Sequence, residues 1–122
     1  MKLFLVLGAI MMALAVVIGA FGAHGLKGRL TPDMLQVYQT GVEYHMYHAL
    51  GLLAVGLMLA QFPQAAGLHW AGWLMLAGIL LFSGSLYVLA ISGIRWLGAI
   101  TPIGGTAFIA GWIAVVVALV RA

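Results

Sequence analysis

The chain contains no cysteine and only two acidic residues among 122. Without thiols it can form no disulfide, no Cys-ligated zinc site and no sulfur nucleophile. No HExxH helix, P-loop or dinucleotide-binding glycine fingerprint is present. No serine stands in a recognisable nucleophile–base arrangement. The five basic residues are scattered rather than clustered, so nothing points to a nucleic-acid partner. Little is therefore left for an enzyme to use, and no cofactor, metal site or catalytic residue is predicted.

What is abundant is apolar side chain. The composition is 66% hydrophobic and 6% charged, with a mean hydropathy of +1.21. A soluble domain of this size has too large a surface-to-volume ratio to hide so much apolar area. Runs of about 20 apolar residues match a hydrocarbon layer about 30 Å thick. The sequence thus predicts an all-α integral membrane four-helix bundle, with residues 1–122 forming a single transmembrane domain.

The predicted spans are 3–23, 42–62 within a longer helix 32–62, 70–91 and 97–120. The first run is read as a retained helix rather than a cleaved leader, since it is long for a signal sequence. Thr31-Pro32-Asp33 reads as a helix start: a capping hydroxyl, a proline at the first helical position and an acid near the positive dipole end. Nothing breaks that helix before Phe62-Pro63. Four spans put both termini on one side of the bilayer. Lys27, Arg29 and Arg95 lie in the loops of the other side, against Lys2 and Arg121. The positive-inside rule then places the termini outside the cytoplasm.

Small residues recur at heptad spacing: Gly8, Ala15 and Gly22; Ala71, Gly78, Ser85 and Ser92; Gly104, Gly111 and Ala118. Stripes of this kind let membrane helices approach closely. They are read as packing faces rather than a pore lining.

Polar chemistry concentrates in Thr40-Gly41-Val42-Glu43-Tyr44-His45-Met46-Tyr47-His48. Counting about 30 Å back from Phe62 reaches Glu43, which places it near the interface on the side of the 24–32 and 92–96 loops. The candidate site is the cluster of Glu43, His45, His48, Tyr44, Tyr47, His24 and Arg95. Glu43 and His45 fall on different faces of the helix, so that helix is expected to be enclosed by its neighbours. An enclosed carboxylate needs a partner. Arg95 is the first candidate and His24 the second. His45 and His48, three residues apart, could meet a metal only with His24 or Glu43 as third ligand; hydrogen bonding across helices is the plainer role. Ser83-Gly84-Ser85 could bond within the bundle or to a ligand.

Four ordered motifs carry a resemblance. They are Gly19-Ala20-Phe21-Gly22-Ala23-His24-Gly25-Leu26; Thr40 to Ala49; Leu81-Phe82-Ser83-Gly84-Ser85-Leu86-Tyr87; and Thr101-Pro102-Ile103-Gly104-Gly105. The chain resembles the YgdD-like family of small bacterial inner-membrane proteins, domain of unknown function 423, related to a eukaryotic transmembrane protein of similar size. The resemblance implies four spans in the bacterial inner membrane and supplies no activity. Two roles stay open. One is a non-enzymatic protein supporting membrane integrity or assembly, in contact with membrane lipid and associating as a homo-oligomer or with other membrane proteins. The other is a transporter or channel component that binds a proton, cation or small solute at the Glu/His cluster.

Overall fold

A computed structural model describes residues 2–122. It has four helices: α1 (Leu3–Leu26), α2 (Pro32–Gln61), α3 (Ala66–Ser92) and α4 (Arg95–Arg121). No strand occurs among the described residues. The ends follow from local chemistry. The Met34 amide donates to Thr31 Oγ1 at 3.2 Å, with Pro32 in the first turn of α2; α2 stops at Phe62-Pro63. At the end of α3, Gly93 adopts φ +73°, a left-handed conformation that side chains disfavour, and its N–H closes on the Leu89 carbonyl at 2.8 Å.

The helices run antiparallel in sequence. On the α1–α2 seam Gly8 meets Leu53 and Ala49, Gly19 meets Val42, and Gly56 meets Leu5. On the α3–α4 seam Gly67 meets Ala118, Gly78 meets Phe108, and Gly104 meets Phe82. Along each seam one number rises as the other falls. α2 also packs along α3, and near its middle it reaches Trp112 of α4. It is therefore covered on three sides. The main core, with Leu52, Val55 and Leu59 of α2 against Leu68, Met75 and Phe108, is fully or almost fully buried.

The small-residue stripes form these seams. Every member except Ser92 is buried. On α4 the buried positions Gly104, Phe108, Gly111, Val115 and Ala118 alternate by four and three, the spacing of left-handed helix pairs in membranes. No member of the three stripes but Ser92 is left on the outside for a second molecule.

α1, α3 and α4 are long and apolar enough to cross a membrane. Their most apolar windows are only 17%, 39% and 28% buried, respectively. The outward face of α1 carries Val6, Ile10, Leu14 and Val17, and that of α4 carries Ile109, Ile113, Val116 and Val120. Such continuous apolar faces suit acyl chains rather than water. Trp70 and Trp96 are the most exposed tryptophans, in keeping with the aromatic belts of membrane proteins. α2 is not among the apolar spans. It is the most enclosed helix, and its buried polar groups, Tyr38, His45 and His48, meet protein.

Candidate functional site

The first half of α2 presents polar side chains in three directions. Toward α1, Tyr38 is buried and donates from its phenol to the Ile18 carbonyl at 2.6 Å. One heptad on, His45 is also buried. Its Nε2 has no hydrogen-bond partner.

Toward α3, His45 Nδ1 lies 2.8 Å from the Tyr87 hydroxyl. Ser83, fully buried, donates to the Gly41 carbonyl at 2.7 Å. A Cβ at Gly41 would stand 2.8 Å from the Tyr87 ring, so a larger residue there would have to displace that ring. A wide π turn over Ile79–Ser83 shifts the phase of α3 and sets Ser83 against α2. On the same helix Ser85 is 2.6 Å from Thr101 Oγ1, joining α3 to the start of α4. Interhelical hydrogen bonds in bilayers contribute about 0.6 kcal/mol on average and rarely above about 1.7. Ser83→Ala should therefore lower stability by roughly 1 kcal/mol in a detergent-unfolding titration. Thr106→Ala, which removes only a bond within its own helix, should change nothing measurable.

Toward α4, His48 is held from three sides. Its Nδ1 lies 2.7 Å from the Tyr44 carbonyl. The indole N–H of Trp112 donates to its Nε2 at 3.0 Å. Phe108 stacks on the ring with centroids 3.5 Å apart and planes within 10°. A carbonyl only accepts and an indole N–H only donates, so His48 is the neutral tautomer with its proton on Nδ1.

These placements divide the cluster read from the sequence. Tyr44 is partly exposed and packs on Phe82 and Phe108. Tyr47 is more exposed and touches Tyr44 edge-on. His24 is exposed and bonds within its own turn, to the Ala20 carbonyl at 3.0 Å. Arg95 is exposed in the tight turn opening α4.

The expectation of an enclosed Glu43 paired with Arg95 or His24 is corrected. Glu43 is exposed and, among the described residues, forms no ion pair with either. The physical reason is that α2 is covered on three sides and not four. His45 sits on the covered arc, while Glu43, about 200° away around the helix, sits on the open one. The two histidines also diverge, one to α3 and one to α4, so they do not converge on a metal. No group of three or more potential metal ligands occurs among the described residues.

Two cavities open at the surface. One of about 210 Å³ lies between the last turns of α1 and the Tyr38–Glu43 stretch of α2. The other, about 530 Å³, lies at the opposite end, between the Phe62–Gly67 turn and the end of α4. Neither is lined by His45 or His48. Sequence reasoning missed Tyr87, Phe108 and Trp112. Only Tyr38 had left a signal, since it shares a helix face with His45.

A family profile described as "Protein of unknown function (DUF423)" matches residues 18–105. The chain is 57% identical over 121 residues to the UPF0382 membrane protein YwdK of Bacillus subtilis, covering 99% of this chain and 98% of that one. It is 50% identical over 117 residues to the UPF0382 membrane protein SH2409 of Staphylococcus haemolyticus, covering 96% and 94%. To the UPF0382 membrane protein SERP0230 of Staphylococcus epidermidis it is 49% identical over 121 residues, covering 99% and 98%. No solved structure matches the chain.

Proposed function

The chain belongs to the DUF423 family of small membrane proteins, and from that premise we propose that it is a non-enzymatic four-span bundle of the bacterial inner membrane that supports membrane integrity or the assembly of membrane proteins. Three helices that can cross a bilayer, with relatives named as membrane proteins, make it a multi-pass membrane protein. α2 would be the fourth crossing. It packs antiparallel against α1 and α3, and its second half, from Ala49 to Ala60, is apolar. The loops bearing Lys27, Arg29 and Arg95 would face the cytoplasm, with the termini outside.

The supporting observation is where the buried imidazoles go. His45 and His48 spend their Nδ1 atoms on contacts within the bundle, and neither lines either of the two cavities described above. A carrier or channel needs a wet route to its ionisable groups. A scaffold needs a rigid interior, and this one has polar contacts joining α2 to each of the other three helices and α3 to α4. The small-residue stripes face inward, so association with a second copy or another membrane protein would use the large apolar side chains outside.

The absence of cysteine makes the test clean. Single cysteines at Val17, Leu57, Leu80 and Val116 place one thiol on the outer side of each helix. Cross-linking in native membranes is expected to trap a defined dimer or adduct from at least one of these positions. Reconstituted vesicles are expected to show no proton or cation flux above protein-free ones. Flux that disappears in Glu43→Gln, with no adduct from any position, would establish transport instead.

A further inference from the structure

His48 joins α2 to α4 through a contact that one proton can undo. Its Nδ1–H is given to the Tyr44 carbonyl at 2.7 Å, and its Nε2 lone pair receives the Trp112 indole N–H at 3.0 Å. Neither partner can reverse its role, because a carbonyl has no hydrogen to give and an indole nitrogen offers no lone pair. A second proton on the imidazole has only Nε2 to go to. Two N–H groups would then face each other across 3.0 Å, and one of them has to leave.

The surroundings decide which. Phe108 stacks on the imidazole with centroids 3.5 Å apart and planes within 10°, and an aromatic face attracts a cation. The charged ring therefore stays on Phe108 and keeps its bond to the Tyr44 carbonyl. Trp112 is the mobile partner, since it is 42% exposed on the outer side of α4. It is bedded on Gly51, where a Cβ would stand 3.2 Å from the indole Cζ2. α4 packs chiefly along α3. Among the described residues, the Trp112–His48 bond is the one side-chain hydrogen bond between α4 and α2.

No countercharge meets a proton placed there. On α2, Tyr44 lies parallel to the imidazole at 6.3 Å and Tyr47 is exposed beside it. Glu43 stands about 140° away around the helix, Asp33 is in the first turn, and Tyr38 faces α1. His45 turns to Tyr87 of α3. His69, the other titratable group of α3, stands beside Phe4. α4 is charged only at its ends, by Arg95 and Arg121, and α1 carries only His24, exposed in its last turn.

We propose that His48 is a proton-operated latch: neutral, it fastens α4 to α2 through Trp112; protonated, it releases Trp112 and lets the α2–α4 seam open. The proton reaches it past Tyr44 and Tyr47, which are partly exposed. The closed form binds one proton fewer than the open form, so it is favoured as pH rises and lost as pH falls. The latch goes beyond the scaffold reading, to which it adds a response to acid.

The test follows the full-length protein in nanodiscs by nitrogen-15 NMR of its histidine and tryptophan side chains, from about pH 7.5 to about pH 4.5, across the ordinary imidazole value of about 6.5. Spin labels on cysteines placed at the exposed Leu50 and Val116 measure the α2–α4 distance over the same range. The chain has no cysteine of its own to interfere. Protonation of Nε2, a shift of the Trp112 indole signal and a longer label distance are expected to share one midpoint, to reverse on neutralisation and to leave helical content unchanged. His48→Phe, which keeps a ring on Phe108, is expected to hold one distance throughout. Trp112→Phe removes the competing N–H and should raise the His48 midpoint by roughly 0.7 pH unit, about a fivefold gain in proton affinity. A His48 still neutral in the folded protein at about pH 4.5, two units below the ordinary value, would overturn the latch. So would Nε2 protonation without movement of Trp112, lengthening that persists in His48→Phe, or an unmoved midpoint in Trp112→Phe. Loss of helix in step with the lengthening would mark general acid unfolding and overturn it too. The scaffold reading fails on other measurements, since its cross-links and flux are read at neutral pH, where the latch is closed.

Discussion

Gly104→Ala is expected to destabilise the bundle by about 3 kcal/mol, while Gly105→Ala beside it is expected to be neutral or slightly stabilising. A Cβ on Gly104 would stand 2.3 Å from the Phe82 backbone nitrogen and 2.7 Å from its Cα. Backbone cannot turn aside as a side-chain tip can, so α3 and α4 would have to separate. Overpacking of this kind costs about 1–3 kcal/mol and sometimes more. The displaced segment is the π turn that carries Ser83 to the Gly41 carbonyl, so the damage reaches α2 and belongs at the upper end of that range. At Gly105 the same Cβ would meet only the Phe82 ring, at 3.7 Å. That is an ordinary contact, and removing a mid-helix glycine gains about 0.5–1 kcal/mol. Detergent-unfolding titrations of the two variants decide the matter. Equal effects would mean that the close α3–α4 approach is not what holds this end together.

The contrast between adjacent glycines also shows what a sequence can and cannot disclose. The heptad recurrence of Gly104, Gly111 and Ala118 is visible in one dimension, because helical packing repeats on a fixed period. Thr31-Pro32 is legible for a similar reason: capping is local, and the Met34 amide is there to be bonded. The all-helical architecture follows from the same local signals. That Tyr38 and His45 share a face is likewise periodicity, and both are buried. The rotation of α2 among its neighbours is another matter. It decides that His45 turns inward and Glu43 outward, and it depends on how three other helices fit, which no local pattern encodes. An acidic residue in an apolar chain invited the assumption of enclosure and hence of a basic partner. The error lay in treating a helix polar on two sides as one surrounded on all sides. The π turn at Ile79–Ser83 was unreadable for a related reason. It offsets Ser83 and Ser85 from the regular helical phase, and no residue within it marks the change.

The pairing of His48 with Trp112 left no sequence signal either, since the two lie 64 positions apart. It nonetheless carries the second large expected effect. His48→Ala should lower stability by about 3 kcal/mol, the usual scale for truncating a well-packed ring. The Phe108 stack and two hydrogen bonds go together, and Trp112 loses its acceptor. Trp112 is 42% exposed on the outer side of α4. If that side faces hydrocarbon, as its flanking Ile113 and Val116 suggest, its N–H has no water to turn to. His48→Phe separates the contributions, because it keeps a ring against Phe108 and removes both bonds. An intermediate loss of roughly 1–2 kcal/mol is expected. A double-mutant cycle with Trp112→Phe should give a coupling of about 1 kcal/mol, because each single variant breaks the same bond. In wild type, nitrogen-15 NMR should find the imidazole proton on Nδ1. If His48→Phe is as stable as wild type, the imidazole contributes nothing that a hydrocarbon ring does not. A histidine kept at that position would then be there for proton chemistry, and the transport reading would displace the scaffold.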